Sequence, residues 1–253
     1  MLTTRVIPCL LLQNGTLVKT IQFKDPSYVG DPTNAIRIYN EKNVDELVVL
    51  DITATAEVKP PPFAVIEMFA SECFMPVAYG GGLSRMTDLK KIFRLGIEKV
   101  IINTAALDSP DFIREASDQF GSQAIVVSMD AKRKADGGWE IFTHGGRRNT
   151  GLGPQECAVR AQSRGAGEIL LTSIDQDGTM AGYDLELIRE VTTAVDVPVI
   201  ACGGAGKVAD FGLAVHEAGA SAVAAGSMVV YFGRNRAVLI SFPSPRELSR
   251  VFP

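Results

Sequence analysis

The residues in this sequence best suited to chemistry are two glycine-rich turns that repeat one another. Met75-Pro76-Val77-Ala78-Tyr79-Gly80-Gly81-Gly82 matches Val197-Pro198-Val199-Ile200-Ala201-Cys202-Gly203-Gly204. Glycine lets backbone N–H groups approach an anion closely, and a following helix N-terminus adds a favourable dipole. In each half the next strand ends in small polar residues, Asn103-Thr104 and Gly226-Ser227. A single glycine pair reads as a turn at the rim of a sheet. Two matched pairs predict two phosphate cradles, one from Gly81, Gly82, Asn103 and Thr104, the other from Gly203, Gly204, Gly226 and Ser227. Their ligand is then elongated, with a phosphate at each end.

Other chemistries are poorly supplied. His144 and His216 are the only histidines, too few for a histidine-based zinc site, and no metal or cofactor is expected. Cys9, Cys73, Cys157 and Cys202 show no C-x-x-C spacing and read as reduced core residues. The formal net charge is −4 and the pI about 5.3, so no basic footprint marks a nucleic acid or an anionic membrane. No signal-like segment is evident, and no apolar run approaches the ~18 residues of a membrane span. A cytoplasmic protein is expected.

The elements that must hold the cradles follow from periodicity. The chain has 253 residues, 46% hydrophobic, enough for one large domain over residues 1–253. Apolar runs predict strands at Val6–Leu12, Glu46–Ile52, Pro76–Tyr79, Lys99–Asn103, Ala124–Asp130, Glu168–Ser173, Val197–Cys202 and Ser221–Gly226. Their unbroken hydrophobicity suits a parallel sheet covered on both faces. Helix signals lie between them. Asp31-Pro32 and Ser109-Pro110 each offer an N-cap with proline behind it, Gly121 closes a helix, and Ser244-Pro245-Arg246-Glu247 is a capping box. Residues 47, 76 and 96 align with 168, 198 and 219, so the second half repeats the first about 122 residues later. Together these predict an α/β fold, a (β/α)8 TIM barrel built from two half-barrels.

Several motifs occur in the order of a known family. Arg5-Val6-Ile7-Pro8-Cys9-Leu10, Asp45-Glu46-Leu47, Leu50-Asp51-Ile52-Thr53, Gly80-Gly81-Gly82 and Ile102-Asn103-Thr104-Ala105-Ala106 come first. Phe120-Gly121-Ser122-Gln123, Thr143-His144-Gly145-Gly146 and Ser173-Ile174-Asp175-Gln176-Asp177-Gly178 follow. Essentially the whole chain resembles the HisF family, the cyclase subunits of imidazole glycerol phosphate synthase. The resemblance implies a barrel docked by its N-terminal face on a HisH-type glutaminase, with ammonia passing through the barrel core. It implies an ammonia gate of Arg5, Glu46, Lys99 and Glu168, a glutaminase contact at Glu98, and substrate contacts from Lys19, Asp51, Asp177 and Gly178.

The family's cyclisation uses carboxylates at the ends of strands 1 and 5. The strand 5 position is Asp130, but the strand 1 position is Leu11, which cannot move a proton. The first acidic residue of the chain is Asp25, so no shift of alignment supplies one. Ile101 and Tyr79 also stand where the family has smaller residues, and are expected to reshape the pocket or to repack the core. The segment Tyr231–Pro243 reads as an extended apolar run, where the usual HisF has a polar amphipathic helix. With Cys9-Leu10-Leu11-Leu12, it is similar to a HisF-type paralogue associated with acetamidino sugars of surface polysaccharides. That likeness implies ammonia delivery to a separate ATP-dependent sugar amidotransferase, with a genuine cyclase of histidine biosynthesis as the alternative.

Overall fold

Nine residues from Arg5 to Gln13 form the first strand, β1, and seven further parallel strands join it in a closed ring. A computed structural model describes residues 4–252. The other barrel strands are β2 (Leu47–Asp51), β3 (Val77–Gly80), β4 (Lys99–Ile102), β5 (Ile125–Arg133), β6 (Glu168–Ser173), β7 (Val199–Cys202) and β8 (Ala222–Ala225). Each pairs with the next, β1 pairs with β8, and β5 pairs with β6 from Glu168↔Val126 to Ser173↔Ala131, which closes the (β/α)8 barrel. The predicted bounds of β6 are met, and the others lie within three residues of those found.

Alternation along the strands sorts side chains into two cores. Ile7, Cys9, Val48, Ala78, Ile101, Val126, Leu170, Ile200, Ala222 and Ala224 fill the lumen. Residues of the opposite parity, such as Val6, Leu47, Tyr79 and Leu171, pack outward beneath the helices. The helices are α1 (Pro32–Glu41), α2 (Phe63–Ala70), α3 (Met86–Arg94), the one-turn α4 (Thr104–Asp108), α5 (Asp111–Phe120), α6 (Pro154–Ser163), α7 (Leu185–Thr192) and α8 (Val208–His216). In α1, Asp31 accepts from Asn34 N at 3.1 Å and Pro32 opens the first turn, while Ala35, Ile36 and Tyr39 turn inward. Ser109 does not play this part for α5, whose N-cap is Pro110 with no side-chain bond. Gly121 does end α5, at φ +85°, and Ser244 does form its capping box, on α10 (Pro245–Leu248).

After β8 the pattern changes. Where an eighth full helix would pack, the chain makes the single turn α9 (Ser227–Val230), a two-residue hairpin of Tyr231–Phe232 with Ala237–Val238, an extended stretch and then α10. The apolar run predicted as extended is thus partly folded back on itself. A second addition follows β1, where antiparallel strands Thr16–Ile21 and Lys24–Gly30 form a strap over the barrel mouth. No described helix is long and apolar enough to cross a membrane.

Candidate functional site at the barrel mouth

The C-terminal ends of the strands open into a cavity of about 720 Å³. Asp130, Leu11, Lys19, Asp51, Gly81, Gly82, Asn103, Thr104, Asp177, Gly178, Gly203, Gly204, Gly226 and Ser227 all line it. The structure therefore gathers every residue that sequence and resemblance assigned to the mouth.

The two cradles repeat in backbone detail. A Cβ at Gly81 would lie 2.4 Å from the carbonyl oxygen of Asp51, and one at Gly203 would lie 2.7 Å from that of Ser173. Their φ angles are +122° and +86°, a region that side chains rarely enter. Asn103 and Gly226, which precede α4 and α9, have φ/ψ of −108°/−83° and −106°/−82°. Their carbonyls accept the first turn bonds from Ala106 N and Val229 N, both at 3.1 Å. The amides before those donors have no intrahelical partner to reach. Gly81→Ala should lower unfolding stability by about 2–4 kcal/mol, since a backbone clash adds to the φ strain. Gly96→Ala, at φ +90° with open space around it, should cost only about 1 kcal/mol. Urea denaturation of the two variants checks the difference.

Lys19 reaches from the strap into the mouth and is 5% exposed. Its Nζ donates to the Cys9 carbonyl at 2.5 Å and lies where a side chain on Gly226 would begin, which sets a cation beside the second cradle. Lys59, Arg85, Arg147 and His144 also line the cavity, and sequence reasoning missed them as site residues. The adjacent arginines Arg147-Arg148 after a glycine pair were the available signal.

Asp51 turns its Oδ1 to the amides of Thr53 (2.7 Å) and Ala54 (3.1 Å), so it shapes the loop after β2, and burial raises its pKa. Asp130 accepts from Asn103 Nδ2 at 3.1 Å. Burial and, secondarily, the Asp177 charge push its carboxyl up to about 7. Asp177 is also raised by burial, while its bond from Thr20 (2.8 Å) and the charge of Lys19 act against that. Asp177 follows β6, which adjoins β5, whereas Leu11 rises from β1 on the opposite side of the ring. The second carboxylate therefore stands beside Asp130, not across the mouth from it.

A stability test follows from Asp130. Its folded pKa lies above the unfolded value, so between about pH 4 and pH 7 the folded state holds a proton that the unfolded state has released. Stability then falls as pH rises through that window. Asp130→Asn should gain about 1–2 kcal/mol at pH 8, after allowance for cavity solvent, and almost nothing at pH 4. Thermal melts at the two pH values measure it.

Of the two expectations for Tyr79, the structure takes core repacking. Tyr79 faces the helices, fully buried, and does not line the cavity, whereas Ile101 does. Val77 and Tyr79 share outward parity on β3, while Ala78 between them faces the lumen, which places the larger ring in the outer core.

At the opposite end of the lumen, four charges close the floor. Arg5 Nη1 meets Glu46 Oε2 at 2.5 Å and Arg5 Nη2 meets Glu168 Oε1 at 2.8 Å. Lys99 Nζ meets Glu46 Oε2 at 3.0 Å and Glu168 Oε2 at 3.1 Å. Burial works against the Arg5 charge, but the two carboxylates together hold its pKa above the ordinary value. Glu46 Oε1 is buried without a hydrogen-bond partner. Glu98 and Phe74, the latter 89% exposed, lie in loops on this same floor side. Among the described residues no three His, Cys, Asp or Glu side chains converge as a metal site.

Comparison with known proteins agrees with the barrel fold. Residues 5–235 match the family described as histidine biosynthesis protein. A Pseudomonas aeruginosa protein named as imidazole glycerol phosphate synthase subunit hisF2 is 50% identical over 98% of this chain and 99% of its own length. Proteins named as the HisF subunit of the same synthase in Leptospira interrogans and Leptospira borgpetersenii are 43% and 42% identical, each over the full length of both chains.

Proposed function

The chain belongs to the histidine biosynthesis protein family, and on that premise we propose that it is a HisF-type subunit that conducts ammonia without closing an imidazole ring. Ammonia released by a HisH-type glutaminase enters through the ring of Arg5, Glu46, Lys99 and Glu168. It crosses the apolar lumen and leaves at the mouth for a separate ATP-dependent sugar amidotransferase that forms an acetamidino sugar. One observation carries the reading: the floor ring is complete while Leu11 occupies the strand 1 position.

The physics favours neutral ammonia. An isolated ion entering a lumen of Ile7, Val48, Leu170 and Ile200 would lose its hydration with no partner in return. A neutral amine loses far less. At the floor, Glu46 Oε1 offers an acceptor to an arriving N–H donor. The exposed Glu98 and Phe74 support a partner on that face, one by charge and the other by apolar area. The sugar acceptor rests on the likeness of both chain ends to the acetamidino-sugar paralogue.

A cyclase of histidine biosynthesis is the second reading, favoured by the names of the relatives and by an Asp130 carboxyl near 7, suited to proton transfer at neutral pH. Blocking the lumen with Ala224→Phe, with glutaminase and acceptor assayed together, tests the conduit. Glutamine hydrolysis should persist while nitrogen delivery falls.

A further inference from the structure

Where the apolar lumen opens into the cavity, two hydroxyls are left unused by the protein itself. Ser128 on β5 and Thr172 on β6 are 6% and 5% exposed, and both line the cavity. Among the described residues neither hydroxyl reaches a partner at hydrogen-bond length, and neither is sealed from the cavity. The Asn103 amide goes to the Ser128 carbonyl, at 3.2 Å, and leaves the hydroxyl alone. Tyr79 and Ser173 also carry hydroxyls without partners, but those are sealed in and do not line the cavity. Strand pairing brings the open pair together. Leu170 lies opposite Ser128, and Thr172 lies opposite Asp130. That register makes Ser128 and Thr172 diagonal neighbours, roughly 8 Å apart at Cα. Asp130, the next inward residue after Ser128, is held at its Oδ2 by Asn103 Nδ2 at 3.1 Å. On β2, β3 and β4 the wall facing the cavity is Leu50, Gly80 and Ile101, which offer no side-chain donor or acceptor.

We infer that Ser128 and Thr172 form a holding site for neutral ammonia at the outlet of the lumen. One hydroxyl donates to the lone pair of the ammonia, while the other, with the Asp130 carboxyl, accepts its N–H groups. The inference rests on the ammonia-conducting reading and places the outlet on the β5–β6 wall. A hydroxyl both donates and accepts, which matches the mixed character of ammonia as an apolar wall does not. Buried polar groups without protein partners are satisfied by a small molecule that can hydrogen-bond to them. Nothing is made or broken there except hydrogen bonds. Their effect is residence: ammonia waits at the outlet for the acceptor enzyme instead of slipping back down the lumen or out into solvent.

The test supplies the barrel, its glutaminase and its acceptor enzyme with glutamine labelled at the amide nitrogen, against a background of unlabelled ammonium chloride. Mass spectrometry of the product then reads the ratio of channelled to bulk nitrogen. Thr172→Val keeps the shape of the side chain and loses the hydroxyl, and Ser128→Ala loses the other. Each should lower the ratio roughly threefold to tenfold, the worth of one ordinary hydrogen bond, while glutamate release holds. Thr172→Ser, which retains a hydroxyl, should keep the wild-type ratio. A ratio unchanged in both Thr172→Val and Ser128→Ala, as for a site that holds only water, overturns the proposal. So does an equal loss in Thr172→Ser, which would mark packing as the cause. Ala224→Phe separates the site from the reading beneath it. If that block lowers the ratio and the hydroxyl variants do not, the holding site fails and the conduit stands. A ratio that survives the block overturns both.

Discussion

Supplied with ammonium salt and the substrate of the cyclases it resembles, the purified chain should form imidazole product at least about a hundredfold more slowly than a barrel bearing a carboxylate at residue 11. A positioned acid or base contributes about 10²–10⁴ in rate, or roughly 3–5 kcal/mol of barrier. Leu11 lines the mouth but offers neither proton nor lone pair. The nearby carboxylates do not fill the gap. Asp51 is committed to the amides of Thr53 and Ala54, and Asp177 approaches Asp130 from the neighbouring strand. Leu11→Asp should recover part of the missing rate, because the cradles and Asp130 are in place around it. Steady turnover by the unaltered chain, or its rescue of a histidine auxotroph lacking its own cyclase barrel, would return the protein to the cyclases.

The second large effect is expected from plugging the lumen. Ala224 sits on the inner wall of β8 where the apolar core opens into the cavity. A phenylalanine there has the cavity above it to extend into, so the overpacking cost should stay near the low end of about 1–3 kcal/mol. An obstruction worth only ~1.4 kcal/mol to passage slows delivery tenfold. With labelled glutamine, nitrogen reaching the acceptor should therefore fall tenfold or more while glutamate release changes little. Loss of both activities together would show a folding or docking defect, which a melt of the variant reveals. Coupling that survives the block would leave the barrel as an activator of its glutaminase, with ammonia travelling elsewhere.

Much of this architecture could be read from the chain because buried parallel strands leave a strong trace. The run Glu168–Ser173 is bounded by glycine and by a polar loop, and the strand occupies that stretch. The cradles were legible because the duplication places them twice at one spacing. What stayed hidden depends on direction or on distant pairing. Tyr79 lies one residue from the cradle, yet strand parity turns it away from the mouth. β5 runs on to Arg133 because its end pairs with Trp139–Thr143, outside the barrel, a pairing that the run of barrel strands does not announce. The strap after β1 carries the turn signal Asn14-Gly15 but mostly exposed residues on its outer strand, Lys24–Gly30.

The matched dihedrals at Asn103 and Gly226 carry a broader consequence. On the proposed reading, anion capture in this fold is a property of main-chain geometry copied into both halves, whereas proton handling at the first strand depends on the identity of one side chain. The two are therefore separable under mutation. A single codon would then silence the reaction while the barrel and the proposed docking floor and passage persist, leaving the scaffold free to serve a different acceptor without first becoming unstable.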